Sequence, residues 1–240
     1  RIKNRFDVVI DAGPNRKILN CLGKYMPFYD RTIELAILSH NQKDHFGGFI
    51  YLTDRYSIKT FILSPSTNTG KTFSLLKEKF VKKKIKTEVV SEGSRINVLN
   101  DLFVFYWPSN PCVSADDNDC SLIFTFQENK TTVLFTGDAS PKVLNRLSQS
   151  VRAIQESPLL HKINILKIPH HGSKNGLTDA FLRLADPRVA VISVGKKNAY
   201  GHPSKEVLDM LQSHKVKIRR TDTEGNIMFK INDERLKNKE

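Results

Sequence analysis

The stretch that decides the reading is Leu35-Ala36-Ile37-Leu38-Ser39-His40-Asn41-Gln42-Lys43-Asp44-His45-Phe46-Gly47-Gly48. It opens as a continuous apolar run, the pattern of a strand buried on both faces. The run ends at Ser39, and His40, Asp44 and His45 follow within a few residues. A strand fixes the root of the loop after it, so side chains there can be aimed at one point. Imidazole and carboxylate are zinc ligands and also suit manganese. The segment therefore reads as a metal-binding loop closed by Gly47 and Gly48.

Working outward, the same association recurs. Thr136-Gly137-Asp138 ends another apolar run, and two further loops carry Ile168-Pro169-His170-His171-Gly172-Ser173 and Tyr200-Gly201-His202-Pro203. Five of the seven histidines lie in such places; His161 and His214 do not and read as structural. Apolar runs predict strands over residues 6–12, 35–39, 60–63, 103–107, 121–127, 132–136, 163–168, 189–194 and 225–231. Helical patterns fall over residues 16–25, 69–83, 141–150, 178–185 and 204–214. The chain is mixed α/β, a single domain with helices covering two sheets or one large one. Residues 108–119 form the longest irregular segment and read as a functional or mobile loop. Asp11 with Gly13 reads as a strand-ending turn that supports the metal loop.

With 240 residues, 39% of them apolar, the chain can build a sizeable core without cross-links. Lys and Arg outnumber Asp and Glu by 38 to 25, a net charge of +13. That balance points to polyanions, nucleic acid among them. The excess is spread over Arg1, Lys3 and Arg5, then Lys82 to Lys84, then Lys215, Lys217, Arg219 and Arg220, and a basic tail with Arg235, Lys237 and Lys239. Three cysteines without a C-x-x-C pair argue against a disulfide framework or a cysteine zinc site. Cys112 and Cys120 can pair or remain thiols; both readings stay open. The longest apolar runs are far too short to cross a bilayer. The chain opens without Met, on a strand, and is read as a fragment with a tail that loosens from about residue 233. Thr69-Gly70-Lys71-Thr72 imitates the end of a phosphate-binding P-loop, but Pro65 stands where its first glycine is needed, so no nucleotide cofactor is expected. Asn129-Lys130-Thr131 is a chance glycosylation triplet.

Taken in order, Val9-Ile10-Asp11-Ala12-Gly13-Pro14, residues 39–48, Asn118-Asp119-Cys120-Ser121-Leu122, Leu134-Phe135-Thr136-Gly137-Asp138, residues 166–173, residues 193–203 and Arg220-Thr221-Asp222 with Gly225 cover nearly the whole chain. The series resembles the metallo-β-lactamase-fold hydrolases. More narrowly, it resembles the carboxy-terminal domain of the ComEC DNA-uptake competence proteins. The resemblance implies a four-layer αββα sandwich with a metal site at one sheet edge, the opening strand pair being absent here. The family motif is His-x-His/Asp-x-Asp-His. His40, Asp44 and His45 match it, and Gln42 stands at the third position. No histidine lies between His45 and His161, so the paired histidines take the place of the one expected there. The resemblance assigns Asp44, His45, Asp138 and His202 to a first metal. A second, weaker ion falls to His40, His171 and the shared Asp138. Sequence alone does not choose between His170 and His171; His171 is taken as ligand and His170 as a phosphate-facing catalytic group.

One or two divalent ions, Zn or Mn, are expected, lowering the pKa of bound water to about 7. Asp44 is the expected proton acceptor for the attacking water. Ser173 and Lys174 are read as standing just before a helix, where backbone N–H groups can hold a phosphate. Lys174 adds a charge that also serves catalysis, and Asn198 joins these two as a substrate-binding residue. The leading function is a DNA phosphodiesterase, the nuclease domain of a bacterial competence protein. It would be tethered to the membrane through an upstream channel domain, with single-stranded DNA as partner. Two alternatives stand beside it: a free-standing hydrolase of a small phosphoester or other ester, and a metal-poor domain that only guides DNA. The net charge favours the first and third, and Gln42 favours the third. Residues upstream of Arg1 would separate the second from the others.

Overall fold

The computed structural model describes residues 1–3, 6–67, 70–153, 163–231 and 236–238. The chain divides into two compact units. One is Arg1–Ser91 with Pro108–Cys120; the other is Glu92–Trp107 with Ser121–Glu240.

The first unit holds four parallel strands in sequential order: β1 (Val8–Ile10), β2 (Thr32–Ile37), β3 (Ser57–Leu63) and β4 (Lys86–Val89). Parallel neighbours need crossovers, and helices supply them: α1 (Lys17–Tyr25), α2 (Lys43–Arg55) and α3 (Lys71–Lys82). Ile33, Ala36, Leu38 and Phe61 pack against Phe46, Phe49 and Leu52 of α2 and against Phe73, Leu76 and Phe80 of α3. The rings interlock, with Phe49 and Phe61 4.7 Å apart and Phe61 and Phe80 4.4 Å apart. Each such buried side chain contributes about 1.5–3 kcal/mol. Leu35, Ile37 and Ile62 are buried as well, which is why this part of the sequence lacks polar alternation.

Pro108–Cys120 belongs to this unit and is pinned to it, not loose. The Cys112 amide donates to the Pro65 carbonyl at 3.3 Å, and the Ser64 hydroxyl donates to the Cys120 carbonyl at 2.6 Å. Cys112 and Cys120 form a disulfide.

The second unit has a seven-stranded sheet. Its antiparallel part is a meander of β5 (Arg95–Val98), β6 (Asp101–Trp107), β7 (Ile123–Glu128) and β8 (Thr131–Phe135). Asn129, at φ 52°, sits in the tight turn between β7 and β8, a conformation that asparagine tolerates. The parallel part continues from β8 through β9 (Ile165–Lys167) and β10 (Val189–Ile192) to β11 (Lys217–Arg220). One face carries Ile123, Leu134, Leu166, Ala190 and Ile192. It packs against α4 (Pro141–Ala153), α5 (Asp179–Ala185) and α6 (Lys205–Ser213) through Leu144, Leu147, Phe181, Leu182, Val207 and Leu211. The meander also carries a cross-strand phenylalanine ladder of Phe103, Phe105, Phe124, Phe126 and Phe135.

Three expectations change. The strand over residues 225–231 shortens to β12 (Phe229–Ile231), after a short helix α7 (Thr221–Glu224). Part of the expected loose tail, β13 (Leu236–Asn238), pairs antiparallel with β12; the rest of that tail lies outside the described residues, as do His161 and Thr69. The metal loop of residues 39–48 is half helix, since α2 begins at Lys43.

Candidate metal centre

In the first unit, β2 delivers Ser39 and His40, and α2 delivers Asp44 and His45. Gln42 caps α2: its extended backbone carbonyl accepts from the amides of His45 at 3.0 Å and Phe46 at 3.1 Å. Asp44 and His45 therefore sit in the first helical turn. The turn is fastened to the end of β1 by two backbone bonds. Ala12 N donates to His45 O at 2.8 Å, and Gly48 N donates to Gly13 O at 2.7 Å. Gly47 and Gly48 are thus not loop closers. A Cβ on Gly47 would lie 2.3 Å from Pro14 O, and one on Gly48 would lie 2.1 Å from Ala12 O. The helix can dock this closely only without side chains there.

Asp11, just past β1, organises the histidines. Its Oδ1 accepts from the Ser39 amide at 2.8 Å, and its Oδ2 from the Ser39 hydroxyl at 2.9 Å and from His45 Nδ1 at 2.8 Å. Burial alone would raise the Asp11 pKa. The His45 charge and hydrogen bond and the Ser39 amide outweigh it and hold the carboxyl below its ordinary value. The Ser39 hydroxyl also lies 3.0 Å from His40 Nδ1. The His40 and His45 rings are 4.2 Å apart, both buried. Asp44 is half exposed, its Oδ2 3.8 Å from His45 Nε2. The Gln42 amide nitrogen donates to Asn118 Oδ1 at 3.0 Å.

In the second unit, Asp138 follows β8 after Gly137, whose φ of 51° bends the chain. The Asp138 amide donates to Ser121 Oγ at 3.0 Å, and the side chain is buried. Lys167 of β9 donates to Gly137 O at 2.7 Å and lies 3.4 Å from Asp138 Oδ1. Next comes the short turn Pro169–Gly172, in which His170, His171 and Gly172 all have positive φ: 48°, 53° and 82°. Two consecutive histidines in the left-handed region are held by the turn's surroundings. A Cβ on Gly172 would lie 2.7 Å from Pro203 Cβ, and Ser204 N donates to Gly172 O at 2.8 Å. His171 Nδ1 donates to Ser193 O at 2.7 Å, and its Nε2 is 3.4 Å from Asp138 Oδ2. The His170 and His202 rings are 6.2 Å apart. Burial lowers the His202 pKa, the nearby His170 and His171 push it the same way, and Asp138 opposes them.

The second unit thus gathers Asp138, His170, His171 and His202, and the first gathers His40, Asp44 and His45. Three substrate assignments change context. Ser173 and Lys174 do not stand at a helix start: α5 begins at Asp179, and the Thr178 hydroxyl caps it by accepting from Phe181 N at 3.3 Å. The Ser173 amide is spent on His170 O at 2.8 Å, whereas Lys174 is exposed. Asn198 spends its amide on the turn before His202, accepting from His202 N at 2.9 Å and donating to His202 O at 2.8 Å. His214 bonds Asp179 at 2.7 Å. Sequence reasoning gave no role to Lys167, Asn118 or Ser121. Asn118 and Ser121 lay inside a quoted motif, but Lys167 carried no signal beyond a charge within a buried strand.

The sequence model of the Metallo-beta-lactamase superfamily matches residues 4–196. The chain belongs to that superfamily. Its members are mostly metal-dependent hydrolases. ComE operon protein 3 of Bacillus subtilis is 26% identical over 200 residues, 83% of this chain and 25% of that protein. Recombination protein 2 of Haemophilus influenzae is 26% identical over 214 residues, 88% of this chain and 24% of its own length. Competence protein ComA of Neisseria gonorrhoeae is 25% identical over 199 residues, 83% of this chain and 25% of that protein. These are competence proteins of the ComEC type, and the chain spans about a quarter of their length. Among solved structures, the metallo-β-lactamase fold protein YhfI of Bacillus subtilis superposes with a TM-score of 0.59 at 12% identity, over 90% of this chain and 84% of that one. Zn-bound PqqB of Methylobacterium extorquens gives 0.54 at 8% identity, over 92% and 83%. Both likenesses concern the fold. No helix among the described residues is long and apolar enough to cross a membrane.

Proposed function

We propose that this superfamily member is a metal-dependent phosphodiesterase acting on DNA, the nuclease portion of a competence protein of the ComEC type. The observation that carries it is the way the histidines are held. His45 is tied through Nδ1 to the Asp11 carboxylate, and His171 through Nδ1 to the Ser193 carbonyl. Each ring then presents Nε2 as its ligand atom, the arrangement that orients metal-binding imidazoles. With Asp44 and Asp138 as oxygen donors, the set fits a divalent ion such as zinc or manganese. In this reading the family motif assigns Asp44, His45, Asp138 and His202 to a first ion, and His40, His171 and the shared Asp138 to a weaker second one. When bound, such an ion acidifies a water and neutralises phosphate charge.

The chain's own residues do the rest. Asp44, half exposed, accepts the proton of the attacking water. His170 faces the scissile phosphate. Lys174 adds a point charge to the same phosphate. Lys167 holds Asp138 in place, and Asn198 sets the turn that carries His202. DNA as substrate is supported by the competence-protein relatives and by the net charge of +13. The DNA-guiding alternative draws on Gln42, whose amide is engaged by Asn118.

The test is cleavage of a single-stranded oligonucleotide with added Mn or Zn, by the unchanged protein and by Asp44→Ala and Asp138→Ala. Cleavage should fall at least about a hundredfold in each variant while circular dichroism stays unchanged. Cleavage persisting in both, or in chelator, would defeat the proposal. Binding without cleavage by the unchanged protein would favour the guiding role.

A further inference from the structure

Tyr200 is a large aromatic residue, 82% exposed, in the turn that leads to His202. Its ring lies parallel to the His202 imidazole, with centroids 5.9 Å apart and planes at 22°. That is an offset stack, so one face of Tyr200 rests on His202. The exposure does not come from a slack loop. Asn198 makes three side-chain bonds across the turn, to Gly195 O, His202 O and His202 N. Gly201, at φ 69°, makes the reversal, and the buried Pro203 anchors its far side. Lys196 and Lys197, both exposed, precede Tyr200 in the same loop. A rigid turn therefore presents a bare aromatic ring next to two cations and beside a histidine of the proposed centre.

We infer that Tyr200 is a positioning residue that stacks on a nucleobase of the single strand, next to the phosphate being cut. The inference rests on the DNA reading and adds to it a specific contact. The chemistry is general: every base has a π-face, and stacking it on an aromatic side chain strengthens binding about tenfold or more without sequence preference. The Lys196 and Lys197 ammonium groups would follow the backbone on either side of that base.

The experiment uses the Asp44→Ala protein, with Mn present, so that nothing is cleaved. Binding is measured for a ten-nucleotide oligothymidylate, for the same strand with abasic residues, and for thymidine monophosphate. Adding Tyr200→Ala should weaken oligothymidylate binding about tenfold and leave abasic binding unchanged. Tyr200→Trp should keep or tighten it. In the cleavage-competent protein, Tyr200→Ala should raise KM far more than it lowers kcat. Equal weakening on both strands, or none on either, would overturn the inference and leave the DNA reading standing. Thymidine monophosphate bound as tightly as the decamer would replace the strand by a free nucleotide and overturn it too. No binding of either strand by the Asp44→Ala parent would overturn the DNA reading, and this inference with it.

Discussion

Gln42 stands where the family motif has histidine or aspartate, and its amide bonds Asn118. A neutral oxygen is a weak ligand for a divalent ion, and Lys167 already places a cation beside Asp138. Both features act against a second metal. Protein purified without added metal should carry close to one equivalent by elemental analysis, and Gln42→Asp should raise that toward two. Two firmly held equivalents in the unchanged protein would contradict this. Asp11 offers a second prediction. It orders His45 from outside the donor set, and losing such a partner typically costs 10–100-fold in metal affinity. Asp11→Ala should therefore weaken Mn or Zn binding, measured calorimetrically, by about that factor. Unaltered affinity would mean that His45 needs no such support. His40, Asp44, His45, Asp138 and the pair His170 and His171 stand out in the sequence as candidates because their chemical types are uncommon together at strand ends, although the sequence does not choose within the pair. Lys167 and Asn118 could not, because their roles lie in hydrogen bonds to residues 29 and 76 positions away.

Helix α2 carries half of the motif and is held edge-on against residues 12–14 by Gly47 and Gly48. Gly48→Ala would push a methyl into the Ala12 carbonyl, a backbone group that cannot swing aside. Overpacking typically costs 1–3 kcal/mol, and this site belongs near the upper end, about 3 kcal/mol. The midpoint of urea unfolding should drop accordingly; a midpoint within error of the parent would show that α2 can shift at little cost. The same two glycines hid the helix in the sequence, since paired glycines ordinarily mark a turn. The strands divide along a similar line. Buried ones such as β6, β7 and β8 announced themselves as apolar runs. The four that did not, β4, β5, β11 and β13, are all sheet edges. They carry residues such as Lys86, Arg95, Lys217 and Arg219, and charged residues of this kind blunt an edge against further pairing. Their function at the edge removed the pattern by which a strand is read.

At the scale of the whole chain, the charge of +13 overstates what is available to a polyanion. Arg219 is paired with Glu224 and Arg220 with Asp222, the latter at 2.6 Å. The basic group around β11 therefore offers less than its sequence count. Single-strand binding should still fall with salt, by about 0.7 in log affinity per phosphate contact for each tenfold rise. Reversing Lys82 to Lys84 should lower that slope more than reversing Arg219 and Arg220. Binding indifferent to salt would remove phosphate contacts as its basis. The path of the backbone has a consequence for biosynthesis. The chain leaves its first unit at Ser91, builds β5 and β6 of the second, and returns with Pro108–Cys120 before leaving again. A nascent chain emerges from the ribosome N-terminus first. Gln42 must therefore wait for Asn118, and Ser64 for Cys120, until strands of the other unit have already been made. A pause at Ser91 therefore leaves the first unit short of its last segment, and that unit is complete in sequence only at Cys120, with β5 and β6 of the other already made.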